Sequence, residues 1–295
     1  MKNTYSAVSL GRLCWLLGIT RQAFYQHLWH DLDISTEQSL VLDQVRKLRE
    51  QHPVIGTRKL LVLLQTFLLD HQIKMGRDAL FDLLSEHKLL VKKRKRRIKT
   101  TQSHHWLKKY SNLIKGWHPA GPMQLWVADI TYVPVSRRFL YLSLITDAYS
   151  HQVMGYHIAS TLEAVHSITA LQMALQHQPI TTGLIHHSDR GIQYCSSEYV
   201  KLLEQKHISI SMSESGDPLQ NAVAERINGI IKNEYLKHYP MQDQNGALQL
   251  LHEVIRKYNN KRPHQSIQMF TPEKVHSKQL LVNKTWSKNK KTITC

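Results

Sequence analysis

Cysteine is scarce in this chain. Cys14, Cys195 and Cys295 are the only three among 295 residues, and no two stand in the CxxC spacing of a zinc-ligand pair. Three scattered thiols make no disulfide framework, so a reducing cytoplasm is the expected compartment. Long apolar runs are missing too. A membrane-spanning helix needs roughly 20 consecutive apolar residues, and the first residues, MKNTYSAVSLGRL, carry no signal-like core. Neither secretion nor membrane insertion is expected. The third shortage is acid: 22 Asp and Glu face 39 Lys and Arg, a formal charge of +17 with a sequence pI near 9.8. A charge of that size and sign predicts a polyanionic partner, with nucleic acid foremost.

The excess is uneven. Up to Gly116 there are 21 basic residues against 9 acids, and from Trp117 onward 18 against 13, so the front of the chain is the main electrostatic handle. The nineteen histidines lack Cys partners or an HxxxH pair and are read mostly as surface and DNA-facing residues. The length allows two or three domains, one large enough for a substantial core.

Leu10, Leu13, Leu16 and Leu17 form a helical stripe, Gly18-Ile19-Thr20 a turn with a capping Thr, and residues 21–29 a second helix. This pattern over residues 1–33 predicts a helix-turn-helix-like hairpin. Arg21 and Gln22 stand at the exposed start of the second helix, where a major groove would be read. A plain helical hairpin packed on a neighbour fits the same pattern. Residues 34–91 repeat the theme: Leu40, Val41, Val45 and Leu48 mark one helix, residues 60–69 another and 77–87 a third, with Pro53 and Gly56 as breakers.

A basic linker, 92–118, follows. It holds Lys92, Lys93, Arg94, Lys95, Arg96 and Arg97, a self-repelling run suited to releasing counterions on DNA. Residues 119–273 read as an α/β core. Three strands at 125–133, 138–146 and 152–160 are joined by short links and predict an antiparallel meander. A helix at 162–177 then crosses to a parallel strand at 183–186, followed by a helix at 196–205 and a strand at 208–212. The loop SESGDPLQ precedes a helix starting at Asn221, and a last long helix spans 241–259. The tail, 274–295, carries six Lys and no acid and reads as a nonspecific DNA arm or a disordered end.

Three acids stand out in the core. Asp129 lies inside a strand-like run, Asp189 ends another, and Glu225 lies on a helix; 59 residues separate the first two and 35 the second pair. Two divalent ions about 3.5–4 Å apart, clamping an in-line phosphoryl displacement, need such oxygen ligands on rigid elements. Spacing alone leaves open that each is an ordinary strand-end or surface acid. Asp147, at the end of the neighbouring strand, is the chief rival. Helical spacing puts Asn221, Glu225, Asn228 and Lys232 on one side, and His186 and His187 beside Asp189 read as structural.

The words Trp126-Val127-Ala128-Asp129-Ile130-Thr131-Tyr132, then His187-Ser188-Asp189-Arg190-Gly191-Ile192-Gln193-Tyr194, then Asn221-Ala222 through Glu225 to Lys232 and Glu234 occur in order. Tyr258-Asn259 and Arg262-Pro263-His264-Gln265-Ser266 with Thr271-Pro272 complete the set. Together they resemble the second-frame (OrfB) transposases of the insertion-sequence three family, within the retroviral-integrase superfamily. Gln220, Arg226 and His151 depart from the usual pattern.

The resemblance implies a ribonuclease H-like mixed α/β sheet flanked by helices and preceded by small all-α helix-turn-helix domains. It makes Asp129, Asp189 and Glu225 the catalytic and metal-binding acids. Two Mg²⁺ or Mn²⁺ ions would be held, one between Asp129 and Asp189 and the other between Asp129 and Glu225. It implies cleavage and joining of element ends, double-stranded DNA and a first-frame OrfA protein as partners, and a homodimer or higher oligomer on DNA. Asn221, Asn228, Lys232 and Arg262 join the basic residues above as expected DNA contacts. A nuclease of the same fold without strand transfer and a repressor with an inactive core are the competing readings.

Overall fold

The computed structural model describes residues 8–91, 106–135, 138–177, 183–214 and 221–282, apart from the side chains of residues 30–35 and of His177. Nine α-helices and five strands are assigned among the described residues. The basic cluster Lys92 to Arg97 lies outside them.

The first helix, α1 (Leu10–Leu16), starts where the Ser9 side chain accepts from Arg12 N, and α2 (Arg21–Gln51) where Thr20 accepts from Ala23 N. A helix boundary expected near residue 33 is not there: α2 runs unbroken for 31 residues. The segment between Trp29 and Ser35 contains neither Gly nor Pro, so nothing in it interrupts the hydrogen-bond ladder. The two further helices, α3 (Thr57–Asp70) and α4 (Arg77–Glu86), fold back on α2's second half. Val41, Val45, Leu60, Leu64, Leu80 and Leu84 close a core of their own, as the helical leucine spacing predicts.

The core is one mixed sheet in the order β3-β2-β1-β4-β5, formed by β1 (Leu125–Val135), β2 (Arg138–Asp147), β3 (Val153–Ala159), β4 (Ile185–Ser188) and β5 (Ser209–Met212). The first three pair antiparallel as the expected meander, and β4 pairs parallel with both β1 and β5. The parallel join requires a crossover, which α5 (Ala164–His177) supplies. At Gly155 the two layers approach so closely that a Cβ would collide with the Ala170 carbonyl of α5.

β4 lies two residues further on than the apolar run suggests. His186 and His187 continue it as buried residues because each imidazole finds a hydroxyl: Tyr199 for His186 and Ser211 for His187, both at 2.9 Å. Neutral rings suit that setting, and burial lowers His186 to about 3 and His187 to about 4. With His52, His151, His264 and His276 they make six buried histidines among the described residues, which corrects the surface reading for those four, while His186 and His187 are the structural residues they were expected to be.

One sheet face packs on α5 and α6 (Ser197–Gln205) through Trp126, Ala128, Ile145, Leu171, Tyr199 and Leu203. The other packs on α7 (Ala222–Ile230) and α8 (Gln244–Lys261), with Leu140, Leu142, Leu144, Ile227, Val254 and Tyr258 fully covered. After α7 the chain makes one wide, π-helical turn, Ile231–Tyr235. Here the helical module meets the core: Tyr235 OH lies 2.7 Å from His52 Nδ1, Tyr239 OH donates to the Glu50 carbonyl at 2.9 Å, and Lys261 Nζ donates to Gln51 Oε1 at 3.3 Å.

Part of the expected tail folds. The Thr271 side chain accepts from Lys274 N and Pro272 stands in the first turn, so α9 (Pro272–Ser277) forms. Val275 and Val282 then pack with Tyr149. These apolar contacts outweigh the lysines between them. Within the expected linker, Leu107 and Tyr110 pack on the α5–α6 face of the core, and Leu113 N donates to Ser211 Oγ at 2.9 Å.

Candidate active site

Strand parity decides which way Asp129 points. On β1, Trp126 and Ala128 face α5 and α6, whereas Leu125 and Val127 pack with Ala224 of α7. With a period of two, residue 129 falls on the α7 side. The contact agrees: Asn228 Nδ2 donates to Asp129 Oδ2 at 2.8 Å.

Asp189 reaches the same place through register. Ser188, the last residue of β4, pairs with Ala128, so the chain leaves the sheet beside Asp129. A tight turn then fixes the acid: Gly191 N donates to Asp189 Oδ1 at 3.0 Å, and a Cβ on Gly191 would lie only 3.0 Å from that oxygen. Glu225 stands in the first turn of α7, one turn before Asn228. Asn221, which caps that helix, donates through Nδ2 to the Ala128 carbonyl at 3.0 Å, tying the start of α7 to the residue before Asp129.

All three acids are half-buried. The Asp129 carboxyl is pushed up to about 7, first by burial, then by the negative charge of Asp189 and, less strongly, of Glu225, while the Asn228 bond pulls the other way. Among the described residues no three His, Cys, Asp or Glu side chains are gathered closely enough to hold one ion as they stand. The donor chemistry nevertheless suits a hard divalent cation: three carboxylates with mutual repulsion at Asp129, and buried Oδ1 atoms of Asn221 and Asn228 without a hydrogen-bond partner.

The rival acid is accounted for differently. Asp147 is fully buried and accepts from Met123 N at 2.7 Å, Tyr149 N at 3.1 Å, Ser150 N at 2.7 Å and Ser150 Oγ at 2.8 Å. A carboxylate so saturated organises the β2–β3 corner.

Of the expected DNA contacts, Arg21 and Gln22 are exposed at the start of α2 and Lys232 is half-buried in the wide turn. Asn221 and Asn228 are buried against β1. Arg262 is only 1% exposed: Nε and Nη2 donate to Glu234 Oε2 at 3.2 and 2.8 Å, and Nη1 to His264 Nε2 at 2.8 Å. It is therefore an interior ion pair, not an open surface cation. Sequence reasoning did not single out Lys59, which lines one cavity with His151 and Arg226, two of the departures noted above, and with Arg262. Its only sequence signal was a place on the polar side of a leucine-rich helix.

The Integrase core domain family matches this chain at residues 119–218, and a second family of the same description at 206–272. A Shigella sonnei protein described as the insertion element IS600 uncharacterized 31 kDa protein is 35% identical over 273 residues, covering 90% of this chain and 98% of that one. The chain belongs to the insertion-sequence three family of transposases. The transposase for insertion sequence element IS629, also from Shigella sonnei, is 29% identical over 261 residues, covering 86% of each chain. Among solved structures, the HTLV-2 integrase catalytic core domain in complex with magnesium aligns at a TM-score of 0.42 with 21% identity, covering 52% of this chain and 97% of its own. The simian T-cell lymphotropic virus intasome aligns at 0.47 with 17% identity, covering 78% and 73%. The transposase carries an integrase core domain built on a mixed five-stranded sheet, and is an enzyme of the polynucleotidyl-transferase type.

Proposed function

We propose that this transposase cuts and joins the ends of its element through Asp129, Asp189 and Glu225. One observation carries the reading: β4 sets Ser188 beside Ala128 just before Asp189, and Asn228, one turn after Glu225 on α7, donates to Asp129, so the three acids are brought to one end of the sheet. Acids pressed together in this way are stabilised by a cation between them. Two Mg²⁺ or Mn²⁺ ions, when bound, supply activation of the attacking water or 3′-hydroxyl and neutralisation of charge on the phosphodiester. Asp129, Asp189 and Glu225 would hold the ions. Asn228 holds Asp129 in orientation, and Asn221 holds the first turn of α7 against β1, so Glu225 enters from a fixed direction. Attack is direct, with no covalent enzyme–DNA intermediate.

The partners in this reading are double-stranded DNA at element ends and target, a first-frame OrfA protein and further copies of this chain in the cytoplasm. No described helix is long and apolar enough to cross a membrane. The test is cleavage and joining of a labelled duplex bearing the element's own end, with and without Mg²⁺, for wild type and Glu225→Gln. Joined product that requires metal and disappears in the variant, with DNA binding kept, supports the reading. Cutting without joining favours a nuclease. Equal binding by both proteins, with no cutting by either even when the first-frame protein is added, favours a repressor.

A further inference from the structure

A cleft runs beside α7 and begins at Glu225. Two cavities adjoin along it and share Arg226 and Ile230. The first, of about 380 Å³, is lined by Glu225 and Glu234 on the core side and by Val54 and Val91 from the helical module. The second, of about 460 Å³, continues past Val223 to Arg262 and Gln265, and Lys59 of α3 reaches it from the module.

Charge in the second cavity is one-sided. Lys59, Arg226 and Arg262 line it and no carboxylate does; the carboxylates of the adjoining cavity are Glu225 and Glu234, and Glu234 is already bonded to Arg262. Arg262 also donates to His264 and the Pro263 carbonyl, so it forms a fixed wall. Lys59 and Arg226 make no ion pair among the described residues. Lys59 is half-buried, and its ammonium is lowered to about 8 by burial and by Arg262, with Glu234 opposing and Arg226 adding to the effect. Two cations from two modules, neither ion-paired among the described residues and with Glu234 engaged by Arg262, are relieved by a phosphate between them. Val223 and Ile230 add an apolar floor that suits a sugar or base and gives nothing to a bare inorganic ion.

We propose that this cleft seats one nucleotide unit of the DNA strand that passes the active site. Its phosphate is gripped between Lys59 and Arg226, and its sugar and base lie against Val223 and Ile230. The helical module and the core then hold the same strand, and Arg226, next to Glu225 in the chain, sets its path. This rests on the reading that the transposase works on DNA, but it requires only binding and no chemistry.

The experiment is a scan with the full-length chain and an element-end duplex in which single phosphates are replaced, one at a time, by neutral methylphosphonate. Binding is measured against salt for wild type, Arg226→Gln, Lys59→Gln and Arg226→Lys. Arg226 is exposed, so its substitution leaves the fold intact. One replaced phosphate is expected to weaken wild-type binding about tenfold and to have no further effect in Arg226→Gln or Lys59→Gln. Each of these variants is expected to lose about one unit of salt slope, and Arg226→Lys to keep it. Wild-type affinity and slope in both Gln variants would overturn the proposal, as would sensitivity of the two variants to different phosphates. A shared phosphate in a protein that neither cuts nor joins would sustain the cleft and sink the transposase reading. Cutting and joining without a shared phosphate would do the reverse.

Discussion

Asn228 donates to Asp129 at 2.8 Å, so the helix that carries Glu225 is hydrogen-bonded to the strand residue that repels it. One turn of α7 thus both delivers a negative charge and steadies the group it acts on. The arrangement stores unfavourable electrostatics at the place where a cation would be used.

The first prediction follows from that strain. Asp129 is pushed up to about 7, above its ordinary 3.8, so its ionisation opposes folding and its own contribution to metal-free stability falls as the pH rises from about 4 to 7. Asp129→Asn should therefore stabilise the metal-free protein at pH 8 by about 1–2 kcal/mol, a discounted conversion of the shift, and change it little at pH 4. Thermal melts at the two pH values check this.

Acid should destabilise the fold through its buried rings. His52 and His187 are lowered to about 4 and His186 to about 3, chiefly by burial, and His264 well below its usual value. Neutral forms are favoured in the folded chain, so the stability these rings contribute is full above pH 6.5 and drains away toward 4, and four rings outweigh the single carboxyl of Asp129. Urea titrations at pH 7.5, 6 and 5 should show it, and His186→Gln, which cannot titrate, should flatten the slope.

Arg262 provides a test of surface against interior. Arg262→Ala leaves Glu234 without its cation inside the protein and should cost about 3–5 kcal/mol. The double variant Arg262→Met with Glu234→Leu should recover much of that loss. Equal stability of wild type and Arg262→Ala in denaturant melts would return Arg262 to the surface.

Tyr235→Phe should loosen the module from the core. Its hydroxyl is paired with His52 at 2.7 Å in a buried setting, and its removal should cost about 1–3 kcal/mol. Hydrogen exchange should rise at residues 50–52 and in the turn after α7, with the α5–α6 face unchanged.

What the chain discloses in advance is what local periodicity carries. Alternation in LWVADITYV puts Asp129 on the face opposite Trp126, and short links against one helical crossover fix a meander with a parallel neighbour. The ends of elements were less legible where a polar side chain is satisfied at a distance. Nothing near Arg262 shows that Glu234, 28 positions earlier, neutralises it. His186 and His187 read as polar strand-end residues until Tyr199 and Ser211 are beside them. The long α2 was hidden because the polar stretch between Trp29 and Ser35 reads as a boundary although it holds no Gly or Pro to end a helix.

The most direct measurement of the central claim is Mn²⁺ binding to the full-length transposase with a precleaved element end, followed by electron paramagnetic resonance at pH 8. Two bound ions per active site are expected for wild type, one for Glu225→Gln and none for Asp129→Asn, with DNA retained in all three. Asp129→Asn that binds as many ions as wild type, with the same affinity, would contradict the account.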